Sequence, residues 1–165
     1  SLVATSVNPK GGLRFSTNEN AFAYWNIFYA GSPMPEVVLE FDNGKLRPNF
    51  ALMKRPAPAM AKLKAKAKAA SRKISNAPYT EVGMDFEEAF WDEMLHLIYS
   101  GHEDLAWKYF DMVWPVKKPG KEKFKIDFEE ALAESYYGTK EINTSNSMRN
   151  SMRLFEKIYK SIKEQ

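Results

Sequence analysis

Apolar residues in the second half of the chain recur at spacings of three and four, which is the period of amphipathic helices. This pattern predicts four helices, over residues 86–99, 103–113, 125–136 and 146–163. Gly101, the pair Trp114-Pro115 and Gly138 separate them, since glycine and proline commonly end helices. In the last helix Met148, Met152, Phe155 and Ile158 recur on one side.

A fifth helix is predicted over residues 59–74, which are rich in alanine and lysine, two good helix formers. Its apolar positions form a narrow stripe of mostly small side chains, suited to close packing: Met60, Leu63, Ala67, Ala70 and Ile74.

The first 50 residues carry a different pattern and favour strands or extended structure. Residues 21–29 are dense in aromatic side chains, which pack well on a sheet, although an apolar run of this kind also allows a helix. Two apolar segments flank the turn at Asn43-Gly44, and this dipeptide favours the positive φ of a hairpin turn. A β-hairpin is therefore predicted near residues 37–48, ended by Pro48.

Together these elements predict an α+β fold. Residues 1–50 form a β or extended region with the hairpin, and residues 51–165 form a mainly helical domain of about five helices. Two or three strands are marginally stable alone, so the sheet must pack against the helices or another segment.

Composition limits the chemistry that the chain can perform. The chain has no cysteine, which excludes a thiolate metal site and a cysteine nucleophile. The chain has two histidines, His96 and His102, which excludes any mechanism that needs three imidazoles. No cofactor is expected.

Charge is distributed unevenly, although the net charge is only +3. Eight basic residues and no acid lie between Lys54 and Lys73, whereas eight acids and no base lie between Glu81 and Asp104. We expect the two segments to pack antiparallel and partly neutralise each other. The alternative is a basic surface for nucleic acid or an anionic membrane. Its candidate residues are Lys62, Lys64, Lys66, Lys68, Arg72 and Lys73.

Glu93 and His96 form one E-x-x-H motif on a predicted helix. Di-iron helical sites need two such motifs with further carboxylates, and the second copy is absent. No metal site is therefore predicted, and we expect Glu93 to contact solvent or the basic helix. His102 lies at a helix boundary without a recognisable nucleophile motif, so no catalytic residue is assigned.

Aromatic residues make up 14% of the chain, which is high for a helical domain. Three tryptophans fall within one predicted pair of helices, which is too thin to bury all of them. We therefore expect an aromatic groove that binds a protein or peptide. Its candidate residues are Trp91, Trp107, Trp114 and Tyr99.

The same helical pair resembles one tetratricopeptide hairpin. The family's order of side chains appears as Trp91, Leu95, Tyr99, Gly101, Ala106, Phe110 and Pro115. The turn and the second helix are shorter here than in the 34-residue unit of that family, and no second unit follows at that period. The resemblance implies a helical hairpin, and no ligand residue is transferred from it.

These observations favour a non-enzymatic protein-interaction or structural module. Binding of nucleic acid or an anionic surface through residues 62–73 is one alternative, and a hydrolase of unidentified substrate is another. Because the chain starts at Ser1, we expect it to be trimmed or part of a larger exported or envelope protein. An exported or periplasmic location is favoured, and a cytoplasmic one is compatible with the sequence.

Overall fold

A computed structural model describes residues 3–7, 13–23, 32–42, 44–74 and 88–163 of the chain. Strands precede helices along these ranges, which confirms the predicted α+β fold. The strands are β1 (Val3–Val7), β2 (Leu13–Asn18), β3 (Glu36–Asp42) and β4 (Lys45–Pro48). The helices are α1 (Phe50–Met53), α2 (Met60–Ser71), α3 (Glu88–Tyr99), α4 (Glu103–Val113), α5 (Lys121–Glu134) and α6 (Asn146–Lys163).

The four strands form one antiparallel sheet in the order β1-β2-β3-β4. Side chains alternate between its faces, so Phe15 on β2 and its partner Leu39 on β3 are both buried. The hairpin at residues 37–48 is the β3–β4 pair, in which Asp42 pairs with Lys45. Gly44 has a φ of +78°, the left-handed conformation that glycine adopts readily. Of the aromatic segment 21–29, residues 21–23 form a turn, and the rest lies outside the described residues.

Helices α3 and α4 pack as the predicted hairpin, and α2 packs mainly on α4. The structure places the boundaries of α4 and α6 where the sequence pattern predicts them. Helix α5 differs from the predicted range 125–136, because it begins four residues earlier, at Lys121, and ends two residues earlier, at Glu134. Gly120 precedes it with a φ of +91°, and Ser135 is already extended.

The core between these helices is rich in aromatic side chains. Phe124 on α5 lies at its centre, with its ring 5.5 Å from those of Phe90 and Phe110 and 5.3 Å from that of Trp114. Such ring contacts add stabilisation beyond the buried area alone. No helix in the described ranges is long and apolar enough to cross a membrane.

Candidate functional site

The four candidate groove residues lie mostly inside this core. The exposed fractions are 1% for Trp91, 4% for Tyr99 and 6% for Trp114, whereas Trp107 is half-buried. α5 covers the helical pair as a third helix, because the Phe124 ring stacks on Trp91 with their centroids 5.6 Å apart. Trp91, Tyr99 and Trp114 therefore offer little surface to a partner, although Tyr99 forms part of the wall of a cleft of about 170 Å³.

Trp114 and Trp107 make specific contacts inside the fold. The indole nitrogen of Trp114 donates a hydrogen bond of 2.8 Å to the carbonyl of Lys118. Trp107 packs edge-on against Phe128, and the ammonium of Lys125 lies 5.3 Å from its ring centroid. Trp107 is the member of this set with accessible surface, on the side of α4 that faces α5.

A different element, α6, presents the larger apolar surface. Its side chains include Leu154, Phe155 and Ile158, with exposed fractions of 59%, 64% and 47%. Met152, on the same helix, is only 4% exposed, and α6 packs on β2. The sequence pattern predicts an amphipathic helix. It does not show that Met152 is buried while Leu154, Phe155 and Ile158 are exposed.

Basic side chains line one edge of this surface on α6. Arg153 and Lys157 are exposed and lie one turn apart, and Arg149 precedes them by another turn. The Arg153 guanidinium also lies beside Gly44, at the turn of the β3–β4 hairpin. The exposed part of α6 therefore joins a basic edge to an apolar surface.

The basic segment forms α2, and its lysines lie on two sides of the helix. Lys66 forms an ion pair with Glu93 of α3, so the E-x-x-H glutamate contacts the basic helix as expected. Lys64, Lys68 and Arg72 lie on the other side of α2 and are exposed. Lys66–Glu93 is the ion pair that the described residues show between the two segments, and α2 packs mainly on α4 and only slightly on the acidic helix α3.

Beside this ion pair lies a small cleft of about 280 Å³, lined by Lys66, Lys73, Asp92, Glu93 and Tyr109 with two alanines of α2. Burial, reinforced by the negative charges of Glu93 and Asp92, raises the pKa of Tyr109 from 10.0 to about 12. Tyr109 therefore stays protonated at neutral pH, which makes it a poor general base.

The two histidines do not assemble with Glu93 into one site. His96 is exposed and lines a separate cleft of about 170 Å³ together with Arg55 and Asp92. His102 instead donates a hydrogen bond of 2.7 Å from Nε2 to the carbonyl of Arg55. In the part of the chain that the structure describes, no group of three or more histidine, aspartate and glutamate residues could hold a metal ion.

No family model matches the chain, and no curated protein or solved structure matches it either. The exposed surfaces of the molecule therefore carry the indications of function. Two of them are candidates, namely the apolar surface of α6 and the basic side of α2.

Proposed function

We propose that the protein is a non-enzymatic interaction module that inserts helix α6 into an apolar groove of a partner protein. The observation that carries this proposal is the exposure of Leu154, Phe155 and Ile158 on a helix that packs on β2 and buries Met152. Large apolar side chains that cluster on a surface commonly mark a protein contact.

The spacing of these side chains suits binding of a helix in a groove. Leu154 and Ile158 are four residues apart, so they lie one above the other on one face, and Phe155 lies beside Leu154. Such anchors at i and i+4 are typical of amphipathic helices that bind in apolar grooves. Burying a fully exposed side chain of this size contributes about 1.5–3 kcal/mol, and since these three are about half exposed, each anchor would contribute roughly 1–2 kcal/mol.

Charge on α6 indicates the chemistry of the partner. Arg149, Arg153 and Lys157 lie on the described part of this helix, whereas Glu156 is the one acid between residues 146 and 158. A partner groove with an acidic rim would complement this edge and speed association. A second copy of the chain fits less well, because pairing two α6 helices would bring two basic edges together.

A matched pair of variants tests this proposal. Leu154→Ser/Ile158→Ser removes two anchors, and Val116→Ser/Ile126→Ser removes two exposed apolar side chains elsewhere. A photo-cross-linker at position 155 would capture the partner, and calorimetry with the purified partner would measure the affinity. We expect the α6 double variant to bind at least tenfold more weakly and the control to bind like the wild type.

Two results would overturn the proposal. One is equal affinity of both double variants for the captured partner. The other is a cross-link from position 155 only to a second copy of the chain, with a dimer in analytical ultracentrifugation that the α6 variant abolishes. Urea unfolding checks folding, because exposed substitutions should change the unfolding free energy by less than about 0.5 kcal/mol.

A further inference from the structure

Helix α2 has a second exposed surface that the proposed function does not use. Its buried stripe consists of Leu63, Ala67 and Ala70, with exposed fractions of 0%, 1% and 9%. The opposite side carries three exposed alanines four residues apart, namely Ala61, Ala65 and Ala69. Lysine and arginine side chains flank these alanines on both sides.

One of these flanks is a regular basic row, formed by Lys64, Lys68 and Arg72. The three residues are spaced by four, so their backbone positions rise about 6 Å from one to the next. All three are exposed, and no acidic side chain of the described ranges forms an ion pair with them. Residues 54–73 themselves contain no acid. Among the described residues this row is therefore an exposed line of three cations without an acidic partner.

We infer that the basic row of α2 binds the phosphodiester backbone of nucleic acid without reading its sequence. Regularly spaced cations gain affinity from a polyanion by releasing its condensed counterions, and this gain needs no contact with bases. The neighbouring alanines have short side chains, so they let the phosphate backbone approach the helix closely. The surface is separate from α6, so the two proposals stand or fall independently.

An anionic membrane suits this surface less well. Helices that lie on bilayers insert large apolar side chains below the headgroups. On α2 the large side chain Leu63 faces the core, and the exposed side presents alanine; Met60, at the first turn, is 40% exposed. Phosphates at the surface of a nucleic acid can be contacted without any such insertion.

The experiment compares the full chain with two triple variants of equal charge. Lys64→Ala/Lys68→Ala/Arg72→Ala removes the basic row, and Lys108→Ala/Lys117→Ala/Lys140→Ala removes three exposed lysines elsewhere. Fluorescence anisotropy with a labelled DNA duplex measures the affinity over a range of salt concentrations. Three phosphate contacts predict a slope of log affinity against log salt of about −2.7, or roughly a 40-fold loss from 50 to 200 mM salt.

We expect the α2 variant to bind at least tenfold more weakly at low salt, with the control unchanged. The slope of log affinity against log salt should become less negative by about 2.7 in the α2 variant. A conservative variant, Lys64→Arg/Lys68→Arg, should retain binding. Absence of binding by the wild type at low salt, or equal loss in both triple variants, would overturn the inference. So would α2-dependent binding to phosphatidylserine vesicles without binding to DNA.

Discussion

Glu19 Oε2 accepts a hydrogen bond of 2.5 Å from the hydroxyl of Tyr99, which lies 80 residues further along the chain. The same oxygen accepts from the backbone of Tyr136 at 2.8 Å, and Oε1 accepts from the backbones of Asn20 and Ala21. Glu19 is only 2% exposed, so four donors replace the water that its carboxylate has lost. This one side chain therefore ties the end of β2 to α3 and to the end of α5.

We predict that Glu19→Gln destabilises the protein by about 2–3 kcal/mol, because the new amide group turns a donor toward buried donors. Tyr99→Phe should cost about 1 kcal/mol, since the backbone donors remain in place. Urea unfolding measures both free energies. Glu134→Gln is the control, because this exposed carboxylate lines the same cleft as Glu19. A Glu19→Gln variant as stable as this control would contradict the assigned role.

Tyrosine burial predicts a loss of stability at alkaline pH. The pKa of Tyr109 is raised to about 12 by burial and by Glu93 and Asp92, and burial with the hydrogen bond to Glu19 raises that of Tyr99 as well. Above pH 10 the unfolded chain loses these protons while the folded chain keeps them, so stability falls as pH rises. A fully buried tyrosine contributes about 1.4 kcal/mol per pH unit in this range.

Unfolding free energies at pH 9, 10 and 11 measure this slope, and absorbance at 295 nm reports tyrosine ionisation directly. The variant Tyr109→Phe should show a shallower loss above pH 10 than the wild type. An equal slope in both proteins would show that Tyr109 ionises normally in the folded state.

Much of the fold could be predicted from local sequence patterns. The Asn43-Gly44 pair indicated the β3–β4 hairpin because its positive φ is a property of the dipeptide itself. The apolar periods of α4 and α6 indicated that these helices exist, and breakers such as Gly101 and the pair Trp114-Pro115 marked where α4 begins and ends. β1 and β2 were not distinguished individually, because short strands depend on pairing with distant residues.

Which of the candidate surfaces are exposed depends on tertiary packing, and the spacing of apolar residues does not predict it. The tryptophan pattern of α3 and α4 is the same whether or not a third helix covers it, and Phe124 of α5 supplies that cover. The apolar side of α6 is likewise the same in sequence whether it is buried or exposed. The burial of Glu19 could not be predicted from the local sequence, because two of its four donors, the hydroxyl of Tyr99 and the backbone of Tyr136, come from distant segments.

The contact between Gly44 and Arg153 predicts coupling between the hairpin and α6. A Cβ atom at position 44 would lie 2.9 Å from Nη2 of Arg153, and the φ of +78° is itself strained for alanine. Gly44→Ala should therefore cost about 1–2 kcal/mol of unfolding free energy, or more if the arginine cannot move. In the double variant Gly44→Ala/Arg153→Ala only the backbone strain remains, so its total cost should be less than the sum of the single costs. Strict additivity in thermal or urea unfolding would show that the two side chains do not interact.

The ion pair between Lys66 and Glu93 should stabilise the contact of α2 with α3 more than an ordinary surface pair does. The Glu93 side chain is 11% exposed and that of Lys66 is 46% exposed, so the carboxylate is largely desolvated while the ammonium is not. Lys66→Ala leaves this carboxylate without its cation, and we expect a loss of about 1–2 kcal/mol of unfolding free energy, between the values for exposed and buried pairs.

The control is Lys64→Ala, which removes the same charge from the other side of α2. Lys64 has no acidic partner among the described residues, so this variant should change stability by less than about 0.5 kcal/mol. Urea unfolding of the two variants separates the pair from the general effect of charge. Equal effects would mean that the basic and acidic segments attract each other only through their net charge, without a defined contact at Glu93.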